Sequence, residues 1–463
     1  EGVLASGGFA YGDTGRAASA QSQYPPGFHL VAAALSRSFD DTAGSTDFRG
    51  TPADAMWLMT MLAFGAMGAV LGLLVIQFAA GDGTGVRWVV ALTSALASAG
   101  AIFWHPLSLL VYAFVPQIVS LLLLATLLLA LMMRPALGVG QTLLVAASCI
   151  ALIGWTWFFL LPVASISVLA WLRIDRVALR GRWMSVAFAA VASLATVPIP
   201  IYFLLRGADT SVVNVAGGVV LLPAEAVYGV AALGLLALLT ITSSTDAQQR
   251  SGVLLAAFLT SSIAFSLLLG MYQQATIGTT EYFYAKSLYT IVVLSIVVVL
   301  GVAGRMLSSA RIRPARRVGG AMLLSVGLVL LTSMRPWDRA ASPIWGFRDG
   351  GGMTQLLRPS FDAYVRAHDR IRGRYVIQWE RTDQPVHDYI ASRWLTTLNG
   401  KADGEVWELW YKTSVDQHRG ALADFITATN GNVAVLTGNE SLAAEMRGSS
   451  VDPQALERVE WIK

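Results

Sequence analysis

The chain has 463 residues, 55% of them hydrophobic and only 13% charged, and its mean hydropathy of +0.58 excludes an ordinary soluble globular protein. The net charge of +4 is small, and arginines on the cytoplasmic side of a membrane explain it better than a nucleic-acid partner does. The single cysteine, Cys149, lies in an apolar run and excludes a disulfide within the chain. The composition therefore predicts a polytopic α-helical membrane protein.

The distribution of apolar residues divides the chain into three parts. Residues 1–50 are rich in small residues and contain a short apolar helix, about 28–38, that is too short to span a bilayer and is expected to lie on its surface. Residues 51–334 hold long apolar runs and form a transmembrane core. Residues 335–463 have ordinary charge density and predict a small α/β domain.

Apolar runs in the core have the length of roughly 20 residues that a helix needs to cross a bilayer. The predicted spans are 54–80, 87–104, 116–133, 138–154, 156–172, 184–204, 223–242, 252–272, 287–304 and 318–334. The fourth and fifth are the least distinct, because 138–172 could instead form one long helix with a re-entrant piece. Pro162 would kink either version.

The positions of the arginines favour two helices across 138–172. With about ten spans, alternate loops then collect most of the positive charge, as the positive-inside rule requires of cytoplasmic loops. These residues are Arg87, Arg134, Arg173, Arg176, Arg180, Arg182, Arg250, Arg305, Arg311, Arg313, Arg316 and Arg317. We therefore predict a multi-pass protein of the plasma membrane in which residues 1–50 and 335–463 are extracytoplasmic.

Polar and aromatic side chains gather at span ends on the predicted outer face. In the segment QSQYPPGFHL, two prolines and a glycine make a rigid turn that presents Tyr24 and His29. His105 ends the second span, and Arg206 lies in the loop after the sixth. These side chains are candidates for binding a phosphate or a sugar hydroxyl. For both histidines the alternative is simple packing at the membrane interface.

The segment TEYFYAKSLY holds the densest outer cluster, at the start of the ninth span. Its candidate residues are Glu281, Tyr282, Tyr284 and Lys286. Tyr282 and Lys286 are four residues apart and share one helical face. A lysine beside tyrosines can bind a lipid phosphate while the rings cover the first isoprene units. The alternative is a lysine that snorkels to the surface within an interfacial aromatic belt.

Motifs for nucleotides and metals are missing from the sequence. There is no Walker loop, no dinucleotide-binding glycine pattern and no zinc-ligand spacing. The sequence therefore indicates no particular cofactor, and it does not indicate a divalent cation. Glu225 is almost the only acidic residue within the predicted spans, so the charged pathway of an ion pump is not predicted.

The segment GVLASGGFAYGDTGRAASAQSQYPPGFHLVAAAL, taken with this topology, resembles part of the large first outer loop of the GT-C glycosyltransferases. The similarity is to actinobacterial enzymes that use polyprenyl-phosphosugars to build cell-wall arabinan, mannan or related glycans. By motif it covers Tyr24 to His29 and, more loosely, Glu281 to Lys286. It implies an inverting transfer of a sugar from a polyprenyl-phosphate donor to a glycan or lipid acceptor of the cell envelope.

The resemblance also implies a catalytic aspartate early in the first outer loop. We expect this base upstream of Glu1. Asp13, the nearest acid in the sequence, is a weak candidate for the role. Two other functions remain open, a transporter or flippase of lipid-linked glycans and a non-catalytic subunit of cell-envelope assembly. A transporter is expected to have polar groups along the whole path across the membrane, whereas a transferase is expected to have them on the outer side.

The C-terminal domain is predicted to alternate strands and helices. The strands are RYVIQW, EVWELWYK, NVAVLTG and RVEWIK, and the helices are VHDYIASRWLTTL, HRGALADFITAT and ESLAAEM, with Gly400 as a helix stop. Four tryptophans are candidates either for stacking on a sugar or for packing in the core of this domain. They are Trp379, Trp394, Trp407 and Trp410.

Overall fold

The computed structural model describes most of the chain after residue 51. The described ranges are 52–79, 87–103, 115–196, 222–239, 246–280, 282–308, 314–333, 353–381, 385–399, 419–449 and 451–462, together with Leu109, Lys401, Val406 and Leu409. The predicted outer loop 1–50 and its surface helix lie outside these residues.

Apolar helices account for the described part of the chain up to residue 333. They are α1 (Pro52–Ala79), α2 (Arg87–Phe103), α3 (Val115–Met132), the short α4 (Arg134–Leu137), α5 (Val139–Thr156), α6 (Leu161–Ile174), α7 (Trp183–Thr196), α8 (Ala224–Leu239), α9 (Asp246–Ile277), α10 (Tyr282–Ser308) and α11 (Pro314–Ser333). Each predicted span overlaps one of them. Their buried side chains form one large apolar core.

Five of these helices are long and apolar enough to cross a membrane. The segments are Leu58–Ala79, Val115–Met132, Val139–Thr156, Gln249–Ile277 and Phe283–Ser308. The protein is thus a helical membrane protein. The other predicted spans correspond to shorter apolar helices among the described residues, so the number of ten stays a prediction.

Residues 138–172 form two helices, as the arginines predicted. A 3-10 turn, Phe158–Leu160, separates α5 from α6. Arg134, before α5, donates a hydrogen bond from Nε to Oδ2 of Asp175, just after α6, over 3.1 Å. The start of α5 and the end of α6 therefore lie at the same end of the bundle. The turn lies at the opposite end.

The first turns of α9 reach the same ion pair. Arg250, in the second turn of α9, donates from Nη2 to Oδ2 of Asp175 over 2.5 Å and to the carbonyl oxygen of Leu131 over 2.9 Å. The loops that carry Arg134, Asp175 and Arg250 were all predicted to be cytoplasmic, and the structure brings the three side chains together. We call this group the Asp175 clamp.

Helix α10 is the central helix of the bundle, because its side chains are almost all buried. Small residues let its neighbours approach closely. A Cβ at Gly234 of α8 would lie 3.1 Å from Val298, and one at Gly301 would lie 3.0 Å from Phe78 of α1. Close approach through small residues is the usual way in which membrane helices associate.

The C-terminal region contains α12 (Met353–Ile371), β1 (Tyr375–Trp379), α13 (Pro385–Leu398), α14 (Arg419–Ala428), β2 (Val433–Thr437), α15 (Leu442–Arg447), α16 (Pro453–Glu457) and β3 (Glu460–Ile462). The strands form a parallel sheet in the order β1-β2-β3, with Tyr375 opposite Val433 and Ala434 opposite Glu460. Three predicted strands and three predicted helices are confirmed. The location of this region outside the cell stays a prediction.

The predicted strand EVWELWYK is wrong. Its two described residues, Val406 and Leu409, are helical and buried, and both pack in the core around β2. They are three residues apart, which places them on one face of a helix. Trp379 is fully buried at the end of β1 and is a core residue. The side chains of the other three tryptophans, and Gly400, lie outside the described residues.

Candidate functional site

The structure describes the side chains of two predicted site residues, Tyr284 and Lys286, both near the start of α10. Tyr282 is the first residue of that helix, and its side chain is not among those described. The remaining candidates lie outside the described part of the chain. They are Asp13, Tyr24, His29, His105, Arg206 and Glu281.

Lys286 is buried among aromatic rings at one end of the bundle. The residue is 5% exposed, and Nζ lies 5.8 Å from the ring centroid of Trp157 and 6.0 Å from that of Phe283. These are distances at which an ammonium is attracted to the face of a ring. A snorkelling lysine would expose its ammonium at the surface, so this position contradicts the alternative of a simple interfacial lysine.

The turn between α5 and α6 supplies the aromatic wall beside the lysine. Trp157 ends α5 in an extended conformation, and Pro162 stands in the first turn of α6. The ring of Phe159 lies 4.6 Å from that of Phe283, and the rings of Phe158 and Phe159 stack at 4.6 Å. These residues lie at the start of the predicted fifth span, 156–172. The three consecutive aromatic residues 157–159 are the sequence signal for the turn.

Polar side chains connect α10 to α3, and α3 to α5, at the end of the bundle where Lys286 lies. Gln117 donates from Nε2 to the carbonyl oxygen of Lys286 over 2.9 Å, and its Oε1 has no hydrogen-bond partner among the described residues. The hydroxyls of Ser120 and Thr156 are 2.6 Å apart. These contacts fix the first turns of α10 against the aromatic turn.

Tyr284 lies on a different face of α10 from Lys286. Its ring packs where a Cβ at Gly270 would lie, 2.8 Å away, and its hydroxyl accepts a hydrogen bond from Tyr228 over 3.3 Å. Ser266 contacts both Tyr228 and Ser287, at 3.0 and 2.7 Å. The structure therefore separates Tyr284 from Lys286, two residues of the predicted outer cluster, because residues two apart on a helix point to opposite sides.

In the C-terminal region, Arg393 of α13 is a second cation that lies against an aromatic ring. Arg393 donates from Nη1 to the hydroxyl of Tyr389 over 3.1 Å, and its guanidinium lies 5.6 Å from the centroid of that ring. We call Lys286, Trp157 and Phe283 the junction site.

Hydrogen bonds to β1 fix the orientation of α13. Asp388 accepts from Gln378 Nε2 over 2.6 Å and from the backbone nitrogen of Arg381 over 3.1 Å. Ser392 accepts from the backbone nitrogen of Gln378, and Thr396 accepts from that of Val376. Asp388, Ser392 and Thr396 repeat every four residues and form one buried face. Tyr389 and Arg393 belong to the adjacent face.

The junction site combines the Lys286 ammonium with the rings of Trp157 and Phe283, a combination that suits an anion attached to an apolar group. In the part of the chain that the structure describes, no three His, Cys, Asp or Glu side chains are grouped to hold a metal ion.

Comparison with known proteins identifies no relative of this chain. No family model, curated protein or solved structure matches this chain.

Proposed function

We propose that the protein is a membrane glycosyltransferase that transfers a sugar from a polyprenyl-phosphate donor to a glycan or lipid acceptor of the cell envelope. Two features support the proposal: the resemblance of the N-terminal segment to the GT-C enzymes and the surroundings of Lys286. The single observation that carries it is the buried ammonium between Trp157 and Phe283.

The chemistry of a polyprenyl phosphate matches these surroundings in two respects. Its phosphate is an anion that a lysine binds as a point charge, with hydrogen bonds that are stronger than those between neutral groups. Its first isoprene units are apolar and need an apolar or aromatic surface. Lys286 supplies the charge, and the turn that holds Trp157 and Phe159 supplies the rings.

The distribution of buried charge favours a transferase over a transporter. In the described part of the bundle, Lys286 lies at one end, whereas Asp175 and Arg305 lie at the other. Between these ends, residues 291–302 of α10 are apolar except for Ser295. A carrier of lipid-linked glycans would need polar surface along its path, whereas a transferase needs it at the reacting side. In the proposal, the Lys286 end and the C-terminal region face the outside of the plasma membrane.

The proposal is tested with the full chain in lipid nanodiscs. A set of radiolabelled polyprenyl-phosphosugars and a cell-envelope glycan fraction are supplied, and transfer to the glycan is measured. Lys286→Met removes the charge and keeps the apolar stem, and it should lower kcat/KM about tenfold or more, because one charge-assisted hydrogen bond contributes about 1.5–3 kcal/mol.

The matched control is Arg173→Met. Arg173 is an exposed cation at the end of α6, next to the Asp175 clamp and at the opposite end from Lys286. Its variant should transfer sugar at the wild-type rate. Absence of transfer from every donor in the set, or equal rates for wild type and Lys286→Met, would overturn the proposal.

A further inference from the structure

The turn between α6 and α7 carries an excess of positive charge. Its sequence, residues 176–182, is RVALRGR, with three arginines and no acidic residue. Arg176, Arg180 and Arg182 are exposed, and no hydrogen bond or ion pair joins their side chains to another described residue. We call residues 176–182 the basic turn, and we propose that it binds the phosphate of an anionic phospholipid. The inference concerns the end of the bundle opposite to Lys286 and does not depend on the proposed function.

The acid that precedes the basic turn does not neutralise it. Asp175 lies directly before Arg176, but its carboxylate already accepts hydrogen bonds from Arg134 and Arg250. The Asp175 clamp therefore contains two positive charges and one negative charge. The arginines of the turn thus add to a positive excess at this end of the bundle, where an anion is attracted.

The backbone of the basic turn is ordered by its own hydrogen bonds. The backbone nitrogen of Leu179 donates to the carbonyl oxygen of Asp175 over 3.1 Å, and that of Arg182 donates to Leu179 over 3.0 Å. Gly181 has a φ of +79°, which reverses the chain between Arg180 and Arg182. Because the clamp fixes Asp175 to two other helices, the arginines extend from a fixed frame, and less backbone freedom is lost when a ligand binds.

Exposed apolar side chains place the basic turn at the depth of lipid headgroups. Val177 lies within the turn and is 66% exposed. Trp183 and Met184 follow the turn at the start of the apolar helix α7, and they are 68% and 64% exposed. A tryptophan at the end of an apolar helix is typical of the membrane interface. Arginines that alternate with such side chains lie where phospholipid phosphates are, which favours a lipid over a soluble anion.

The charges of the basic turn indicate which class of phospholipid fits. A guanidinium binds phosphate oxygens through a planar fork of donors. A zwitterionic headgroup also brings an ammonium, which the arginines repel, whereas an anionic headgroup does not. Each basic side chain near an anionic lipid surface contributes about fivefold to the affinity. The turn therefore favours an anionic phospholipid over a zwitterionic one.

The test measures lipid binding by the full chain in detergent, by native mass spectrometry, and the exchange of amide hydrogens in residues 176–182. The probe is phosphatidylglycerol, and phosphatidylcholine and inorganic phosphate at the same concentration are the other arms. Phosphatidylglycerol should bind about tenfold more tightly than phosphatidylcholine and slow the exchange of the turn. Equal binding of the two lipids would overturn the inference. Equal protection by inorganic phosphate would overturn the assignment of a lipid.

Three double variants separate the basic turn from the effect of net charge. Arg180→Gln with Arg182→Gln should weaken phosphatidylglycerol binding about twentyfold and remove the exchange protection, because two charges are lost from the turn. Arg180→Lys with Arg182→Lys keeps both charges and should retain most of the binding. The matched control is Arg372→Gln with Arg447→Gln, which removes two exposed charges from the C-terminal region and should bind lipid as wild type does.

Thermal unfolding in lipid-free detergent checks that the variants fold. The three double variants should melt with the wild type, because all four arginines are exposed. Phosphatidylglycerol should then raise the melting temperature of the wild type and not that of Arg180→Gln with Arg182→Gln. If this variant binds phosphatidylglycerol as tightly as the wild type does, the inference is wrong. It is also wrong if the control variant loses as much binding, since net charge alone would then explain the affinity.

Discussion

Arg250 and Asp175 form an ion pair in which Nη2 of the arginine lies 2.5 Å from Oδ2 of the carboxylate, and Arg134 donates to the same oxygen. Asp175 is 6% exposed and Arg250 is 11% exposed, so the pair is shielded from water. The Asp175 clamp connects the ends of α3 and α6 with the start of α9. In this clamp the carboxylate of Asp175 accepts hydrogen bonds from both Arg134 and Arg250.

Asp175→Asn should strongly destabilise the bundle. The asparagine has nearly the same shape but leaves the partly buried guanidinium groups of Arg134 and Arg250 without their carboxylate, and removal of one partner of a buried pair costs up to about 3–5 kcal/mol. Thermal unfolding in detergent measures the change. Arg176→Gln, an exposed change in the next position of the same loop, should have little effect. Equal melting temperatures for the two variants would contradict a stabilising role for the clamp.

Gly72 allows α1 and α2 to pack closely. A Cβ at this position would lie 2.4 Å from Oγ of Ser98 and 3.0 Å from Oγ of Ser94, which donates to the carbonyl oxygen of Gly72. Gly72→Ala should therefore destabilise the protein by about 1–3 kcal/mol. Gly65→Ala, on the same helix, meets no atom within 4 Å and should be neutral or slightly stabilising. Both are compared by thermal unfolding in detergent.

Gly270 makes room for the ring of Tyr284. An alanine there would place its Cβ 2.8 Å from the ring and push Tyr284 away from Tyr228. We expect a loss of about 1–3 kcal/mol in the free energy of unfolding. The control is Gly252→Ala in the same helix, where a Cβ has open space. If Gly270→Ala is as stable as this control, the tyrosine does not depend on the glycine for its position.

Asp388 holds the start of α13 to β1. Asp388→Ala would remove the acceptor for Gln378 Nε2 and for the backbone nitrogen of Arg381, both at a buried position. A buried donor left unsatisfied costs about 1–3 kcal/mol. Hydrogen exchange of residues 385–398 should become faster in this variant. Asp424→Ala, which changes an exposed acid of α14, should leave that exchange unchanged.

Tyr364 should make the stability of the C-terminal region fall at alkaline pH. Burial in α12 raises the pKa of Tyr364 above its usual value of about 10. When the pH rises above 10, the unfolded chain loses this proton while the folded chain keeps it, so the free energy of unfolding decreases. Tyr364→Phe should show a smaller decrease between pH 9 and pH 11 in thermal unfolding. Parallel pH profiles for the two proteins would show that ionisation of this residue has no part in the loss.

The topology near α5 and α6 could be predicted because charge acts over whole loops. A single helix across 138–172 would have moved the basic loop after Arg173 to the other side of the membrane, and the structure instead brings Asp175 of this loop to Arg134 and Arg250.

Most of the C-terminal strands and helices were also predictable, because their apolar residues repeat with the period of each element. At Val406 and Leu409 the pattern was ambiguous, and tertiary packing produced a helix.

The sequence by itself determined the class of protein and the positions of its apolar helices, because hydropathy and charge are properties of the residues themselves. Only the tertiary structure decided the neighbours of Lys286. Trp157 reaches it from the turn between α5 and α6, and Tyr284, two residues away, points to another face. The physical reason is that a helix presents successive side chains in different directions, so the composition of a site depends on which helices pack together and not on proximity in the sequence.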